Sequence, residues 1–202
     1  MTTEKPFSPS CERNRGPILE VLREQLADRH QVLELGSGTG QHAVYFAAAL
    51  PHLFWQCSDR AANLPAIRMW LDEARLPNTP QPLTLDVSVD PWPQAKFDAV
   101  FCANTIHIMS WAEVELLFRD LANVLADDSR LILYGPFKYG GEHTSASNAT
   151  FNDWLLTQGA HMGIRDFEAV DALAQRIGLR LIEDYAMPAN NRCLIWQRGG
   201  PT

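Results

Sequence analysis

The run QVLEL, residues 31–35, passes directly into the turn GSGTG and then into QHAVYFAAAL, a helix-forming stretch stopped by Pro51. An apolar strand, a glycine turn and a helix without a spacer force the helix to fold back over the strand. The strand then belongs to a sheet covered on its faces, which favours parallel neighbours. The rest of the chain repeats the alternation. LFWQCS is a second strand, followed by a helix from about Pro65 to Leu76. PLTLD is a third strand, followed by the loop VSVDPWPQAK, and FDAVFCAN is a fourth. Ser110 and Glu113 have capping-box spacing and open a helix with Val114, Leu117, Leu121 and Leu125 inward. RLILYGP is a fifth strand. Upstream, Pro17 opens a helix with Ile18, Leu19, Leu22 and Leu26 on one face, running to about Arg29. Asp166 caps a helix that stops at Gly178, and LRLIEDYAM and RCLIWQR, joined by PANN, form a closing antiparallel hairpin. The expected fold is α/β: a mostly parallel sheet with helices on both faces and an antiparallel edge. It forms one domain over residues 1–202, with an N-terminal arm at 1–16 and a polar lid or binding loop at 136–148.

Composition narrows the function. A formal charge of −7 opposes a broad nucleic-acid or membrane-surface footprint, and leaves a small-molecule partner or a local basic patch. The opening MTTEKPFSPS has neither the basic end nor the apolar core of a signal peptide, and no apolar run is long enough to span a membrane. Cys11, Cys57, Cys102 and Cys193 are dispersed without a CxxC pair, as expected for reduced thiols in a cytoplasmic protein. The six histidines are scattered too, and His107 and His143 have no metal-ligand spacing, so no metal is expected. The oligomeric state is left open.

Ligands of such sheets bind beyond the carboxyl ends of the strands, which places Gly36–Gly40, Asp59, Asp86 and Asn104 along one rim. The glycine turn lacks the lysine of a P-loop. It departs from G-x-G-x-x-G because its third glycine comes one position early, and Glu34 beside it repels a pyrophosphate. S-adenosylmethionine carries an ammonium, a carboxylate and a sulfonium, and no phosphate. Gly36, Ser37, Gly38 and Gly40 let the backbone approach it, and Glu34 favours its cationic end. The helix start near Gly40 and Gln41 can face its carboxylate. Asp59 lies 21 residues after Gly38, the distance at which an acid meets ribose hydroxyls, though an NAD site has one there as well. Asp86 can accept from the adenine amino group while Val87 packs on the ring.

These stretches carry a resemblance. VLELGSGTGQHA, the SD at 58–59, the LDV at 85–87 and FDAVFCANTIHI resemble the successive cofactor motifs of class I S-adenosylmethionine-dependent methyltransferases. SCERNRGPIL, ALPHLFWQCSD, CANTIHIMSW, LYGPFKYGGEHTSASN and MPANN are similar to one poorly characterised family of that class, which includes the animal methyltransferase-like 26 group. The resemblance runs from Phe7 to Gln197 and implies a Rossmann-like sheet of seven strands and S-adenosylmethionine binding. Asn104 and Ile106 follow strand four, where class I enzymes line cofactor and substrate. Arg13 and Asn14, ahead of the first helix, are candidates to fold over the cofactor carboxylate. Asn190 and Asn191 fit a hairpin turn or a substrate contact. His107 is the first candidate for a general base and His143, in the 136–148 loop, the second. Two rivals stay open: a silent cofactor-binding module, and an NAD-dependent oxidoreductase, against which Asp86 and the lack of a Tyr-x-x-x-Lys pair count.

Overall fold

The computed structural model describes residues 4–199. Seven strands form one sheet in the order β3-β2-β1-β4-β5-β10-β9. The central strands β1 (Gln31–Leu35), β2 (Phe54–Asp59), β3 (Leu83–Thr84), β4 (Phe97–Ala103) and β5 (Leu125–Gly135) run parallel. The hairpin of β9 (Leu179–Met187) and β10 (Asn191–Arg198) is antiparallel to itself and to β5, closing one edge. The helices α1 (Pro9–Gln25), α2 (Gln41–Ala49) and α3 (Leu64–Ala74) cover one face, over a core containing Leu22, Phe46, Trp55, Ile67 and Phe101. On the other face α4 (Trp111–Leu121) and α6 (Phe167–Arg176) cover Leu33, Val100, Leu131 and Trp196. The Trp196 indole stays paired inside this layer by donating to Asp171 Oδ1 at 2.8 Å.

Several elements differ from the sequence expectation. α1 begins at Pro9, with Ser8 as its cap, so Pro17 lies inside the helix and Arg13 and Asn14 belong to it. The tertiary amide of Pro17 removes only the bond to the Arg13 carbonyl, and Arg13 is exposed to water there. Residues 136–148 are not one long loop. They contain β6 (Phe137–Tyr139), β7 (Glu142–His143) and the start of α5 (Ala146–Gln158), with Gly140 and Gly141 at the tight turn between the strands. With β8 (Arg165–Asp166) the two short strands form a separate sheet in the order β7-β6-β8. Asp166 stands at the start of α6, but its carboxylate pairs with Lys138 Nζ at 3.2 Å and makes no cap bond. The Ser110–Glu113 box is complete in both directions. No helix among the described residues is long and apolar enough to cross a membrane. Residues 1–3 of the expected N-terminal arm lie outside the described residues.

Candidate active site

The carboxyl ends of β1, β2 and β4 open into a cavity of about 700 Å³. Its floor is the glycine turn, where Gly36, Gly38 and Gly40 have φ of 69°, 59° and 88°. The three glycines do different work. A Cβ at Gly36 would lie 2.6 Å from Thr105 Oγ1, and one at Gly40 would lie 3.1 Å from the Ile67 backbone. Those two positions let the turn press against the β4–α4 connection and α3. At Gly38 a Cβ would meet nothing within 4 Å, and this residue lines the cavity. Its backbone is bare toward the ligand space.

Asp59 organises this floor. Its Oδ2 accepts from the Gly38 N–H at 2.7 Å, while Oδ1 accepts from the Arg60 N–H at 2.7 Å and Asn63 Nδ2 at 2.8 Å. Carboxylate oxygens have lone pairs to spare, so it can still receive a ligand hydroxyl. Next to it, Ser58 Oγ donates to the Glu34 carbonyl at 2.7 Å, and the Ser37 N–H donates to the Ser58 carbonyl at 3.1 Å. Neighbouring strand ends are thereby locked to the turn.

Glu34 sits elsewhere than expected. Along β1, Leu33 and Leu35 point into the α4–α6 layer and Val32 into the α1–α3 layer, which is the side Glu34 shares. Its carboxylate lies beneath the turn, 2% exposed, where Oε2 accepts from Trp55 Nε1 at 3.1 Å. It does not line the cavity. Burial raises its pKa from 4.5 to about 7, against the opposing hydrogen bonds from Trp55 and Ser37.

Of the other expected residues, Gly36, Ser37, Val87 and Asn104 stand on the cavity wall with Gly38 and Asp59. Asn104 is held in a left-handed conformation (φ 54°), with its N–H donating to the Tyr134 carbonyl at 2.8 Å. Asp86 turns away. It accepts from the Ser88 N–H and hydroxyl at 3.0 and 2.6 Å and meets Arg60 Nε at 3.1 Å, contacts that hold it below its ordinary value. Ile106 is buried in the α4–α6 core, and it is Ile108 and Met109 that face the cavity. Gly40 supports the turn from behind. Arg13 is exposed on α1 and Asn14 packs against His42; neither reaches the wall. His107 lies off the wall with its ring edge-on to Phe151 at 5.5 Å, and burial lowers its pKa to about 4. His143 lies in β7, also off the wall, with Nδ1 buried and unpaired. Asn190 and Asn191 hold the β9–β10 turn: Asn148 Nδ2 donates to the Asn190 carbonyl at 3.0 Å.

The cavity also recruits residues that the sequence did not single out. From the N-terminal side come Pro6, Ser8, Ser10 and Cys11, and from α2 comes His42. The strap before α1 is fastened at several points. Trp70 Nε1 donates to the Pro6 carbonyl at 2.7 Å, the Lys5 ammonium sits 3.7 Å from the Trp70 ring centre and 2.6 Å from Glu73, and the Ser8 N–H donates to Gln41 Oε1. Ser8-Pro9, a cap followed by a proline at the first helical position, was the available signal that α1 begins over the glycine turn. On the opposite side stand Arg60, Glu113, His161 and Met162. Arg60 bridges Asp86 to Glu113, whose Oε1 lies 2.7 Å from its Nη2. All four cysteines are free, and no group of three or more metal-ligating side chains occurs among the described residues.

Known structures share this architecture. The chain is similar to an O-methyltransferase family protein from Burkholderia thailandensis, with a TM-score of 0.81 at 17% identity over 93% of this chain and 57% of that one. It is similar to the S-adenosylmethionine-dependent methyltransferase SibL in its apo form, at 0.80 and 21% over 94% and 56%. An O-methyltransferase family 2 protein from Planctomyces limnophilus in complex with apigenin gives 0.80 and 13% over 94% and 57%. The chain thus spans a little over half the length of these proteins. It has their Rossmann-like class I methyltransferase fold. A family model described as a protein of unknown function, DUF938, matches residues 5–198, and the chain belongs to that family.

Proposed function

We propose that the chain is an S-adenosylmethionine-dependent methyltransferase acting on a small molecule. The observation that carries this reading is the floor of the cavity: a Gly38 backbone open to the ligand space, its N–H oriented by Asp59, with no unpaired cation beside it. Arg60 is the one arginine or lysine on the wall among the described residues, and it is already engaged by Asp86 and Glu113. A pyrophosphate would find no free side-chain cation there and only the start of α2 to receive it. A phosphate-free nucleoside fits. In this reading Asp59 accepts from the ribose hydroxyls, Leu85, Val87, Met109 and Leu117 enclose adenine, and the glycine turn with Asn104 receives the methionine part. Asp86 acts indirectly by holding Arg60 across the mouth.

Methyl transfer is then an in-line displacement: a nucleophile attacks the methyl carbon and S-adenosylhomocysteine leaves. Holding the two atoms aligned within about 3–3.5 Å is worth up to ~7–11 kcal/mol. The strap at residues 5–8 and the turn carrying His161 and Met162 shield that event from water. With His107 and His143 off the wall, alignment carries most of the acceleration in this reading.

Calorimetry with S-adenosylhomocysteine and NADH tests the assignment. Binding of the first and not the second is expected; NADH binding alone refutes it. Tight cofactor binding without transfer of label from S-adenosylmethionine to any small-metabolite pool favours the silent module.

A further inference from the structure

The cavity crosses the carboxyl edge of the sheet from one covered face to the other. Leu85, Met109 and Leu117 at one end belong to the hydrophobic layer under α4 and α6. Ser8, Cys11 and His42 at the other end come from the start of α1 and from α2. A nucleoside in the apolar end, as the proposed function requires, leaves the sulfonium and the incoming nucleophile to the polar end.

That polar end is built on a fixed imidazole. His42 is 5% exposed and stacked on Phe46, with ring centroids 5.1 Å apart. Its Nε2 lies 2.7 Å from Asn14 Oδ1. An amide oxygen only accepts, so Nε2 carries the proton and Nδ1 presents a lone pair. The lone pair faces the Cys11 thiol at 3.9 Å, a weak donor that a hydroxyl displaces. Behind Asn14 the buried Tyr134 hydroxyl lies beside both Asn14 and Asn191. Burial holds His42 at about 4 and pushes Tyr134 to about 12, so the network is uncharged at neutral pH. The charges that act on His42 and Cys11 are already engaged: Arg15 with Glu12 and the Tyr45 ring, and the Glu34 carboxylate with Trp55. An ammonium acceptor would lose its hydration beside a sulfonium with no counter-charge, and with S-adenosylhomocysteine bound an anion finds none either.

We propose that the His42 end of the cavity is the acceptor site, that His42 Nδ1 receives the acceptor's proton, and that the acceptor is an uncharged small molecule attacking through a hydroxyl. This rests on the methyltransferase reading. The hydroxyl oxygen bonds to the methyl carbon as the carbon–sulfur bond breaks, and that electron pair stays on sulfur in S-adenosylhomocysteine. The hydroxyl proton passes to Nδ1. One positive charge leaves sulfur and one arrives on the imidazole, so the net charge of the site is unchanged, and the imidazolium then returns its proton to water. Asn14 is a positioning residue, since it fixes the His42 tautomer without reaching the wall.

The test uses the full chain saturated with S-adenosylhomocysteine, with phenol, benzoate and benzylammonium as probes, and reads the His42 ring nitrogens by NMR. Nδ1 is expected to stay unprotonated between about pH 5 and 8. Phenol is expected to shift it, and neither charged probe to do so. His42→Gln is expected to keep S-adenosylhomocysteine affinity within about threefold while label transfer to phenol falls at least about tenfold, and Asn14→Ala to move the ring proton off Nε2. A shift with benzoate or benzylammonium, no shift with any probe, or a parallel tenfold loss of cofactor affinity in His42→Gln overturns the proposal. Failure to bind S-adenosylhomocysteine at all strikes the methyltransferase reading instead.

Discussion

Replacing Glu34 with glutamine tests a carboxyl that the fold keeps out of water. The carboxyl is buried beneath the glycine turn with the Trp55 indole N–H as its hydrogen-bond donor, and burial moves its pKa from 4.5 to about 7. A raised acid binds more protons in the folded state than in the unfolded one. Its contribution therefore falls as pH rises, beginning near the unfolded value of 4.5 and ending near 7. The displacement corresponds to about 3 kcal/mol withdrawn over that interval. Glutamine keeps an oxygen for the indole N–H and has no charge to desolvate. Two buried histidines complicate the raw profile: His42 and His107, both lowered from 6.5 to about 4, add stability as pH rises. The informative quantity is thus the difference between variant and wild type in urea unfolding. Glu34→Gln should match wild type near pH 4.5 and exceed it by about 3 kcal/mol above pH 7. A constant difference across that range would show that Glu34 titrates as an ordinary carboxyl, and the buried placement would be wrong.

The other substitutions probe the floor and the rim. Gly36→Ala drives a methyl to 2.6 Å from Thr105 Oγ1 at a φ of 69°, so it should lower folding stability more than Gly38→Ala. Gly38→Ala meets no atom and bears only the left-handed backbone cost, about 1–2 kcal/mol. Gly38→Ala should instead weaken S-adenosylhomocysteine binding out of proportion to its stability loss, as compared by urea unfolding and calorimetry; the reverse ranking would contradict the division of labour among the glycines. His107 contributes stability that is full above 6.5 and lost as pH falls toward 4. His107→Phe should accordingly lose about 3 kcal/mol less than wild type over that descent, measured by urea unfolding at both ends.

The sheet was readable because each central strand is an apolar run with a turn signal at its end, and the helices over it have one apolar face. α5 carried no such period. Over Ala146–Gln158 only Asn148 and Leu155 are buried, so its helical state is fixed by capping at Ser145 and by contacts such as Asn148 with the β9–β10 turn. Strands as short as β7 and β8 owe their pairing to tertiary neighbours, which no local pattern announces. In the site, Gly38, Asp59 and Val87 were legible as wall residues because their places follow from position at a strand end. Glu34 was misplaced although the strand period was sufficient: it shares parity with Val32, hence the side of Trp55. Cys11 and His42 escaped because α1 was started at Pro17, which left nothing to lie over α2.

The Glu34 carboxyl also reports the sign of charge that the cavity takes. It lies directly under the turn, close enough to Asp59 for that carboxylate to help raise it, and near pH 7 it is about half protonated. A sulfonium and ammonium bound above the turn would favour its ionised form, and binding would release up to about half a proton at pH 7. A dinucleotide phosphate in the same place would favour the neutral form, and binding would take up a comparable fraction. S-adenosylmethionine titrations in two buffers of different ionisation enthalpy measure this directly, because the apparent heat changes by the protons exchanged. Release that disappears in Glu34→Gln is the expected result. Uptake, or release unaffected by that substitution, would mean that the charge beneath the floor was not placed to answer a cation above it.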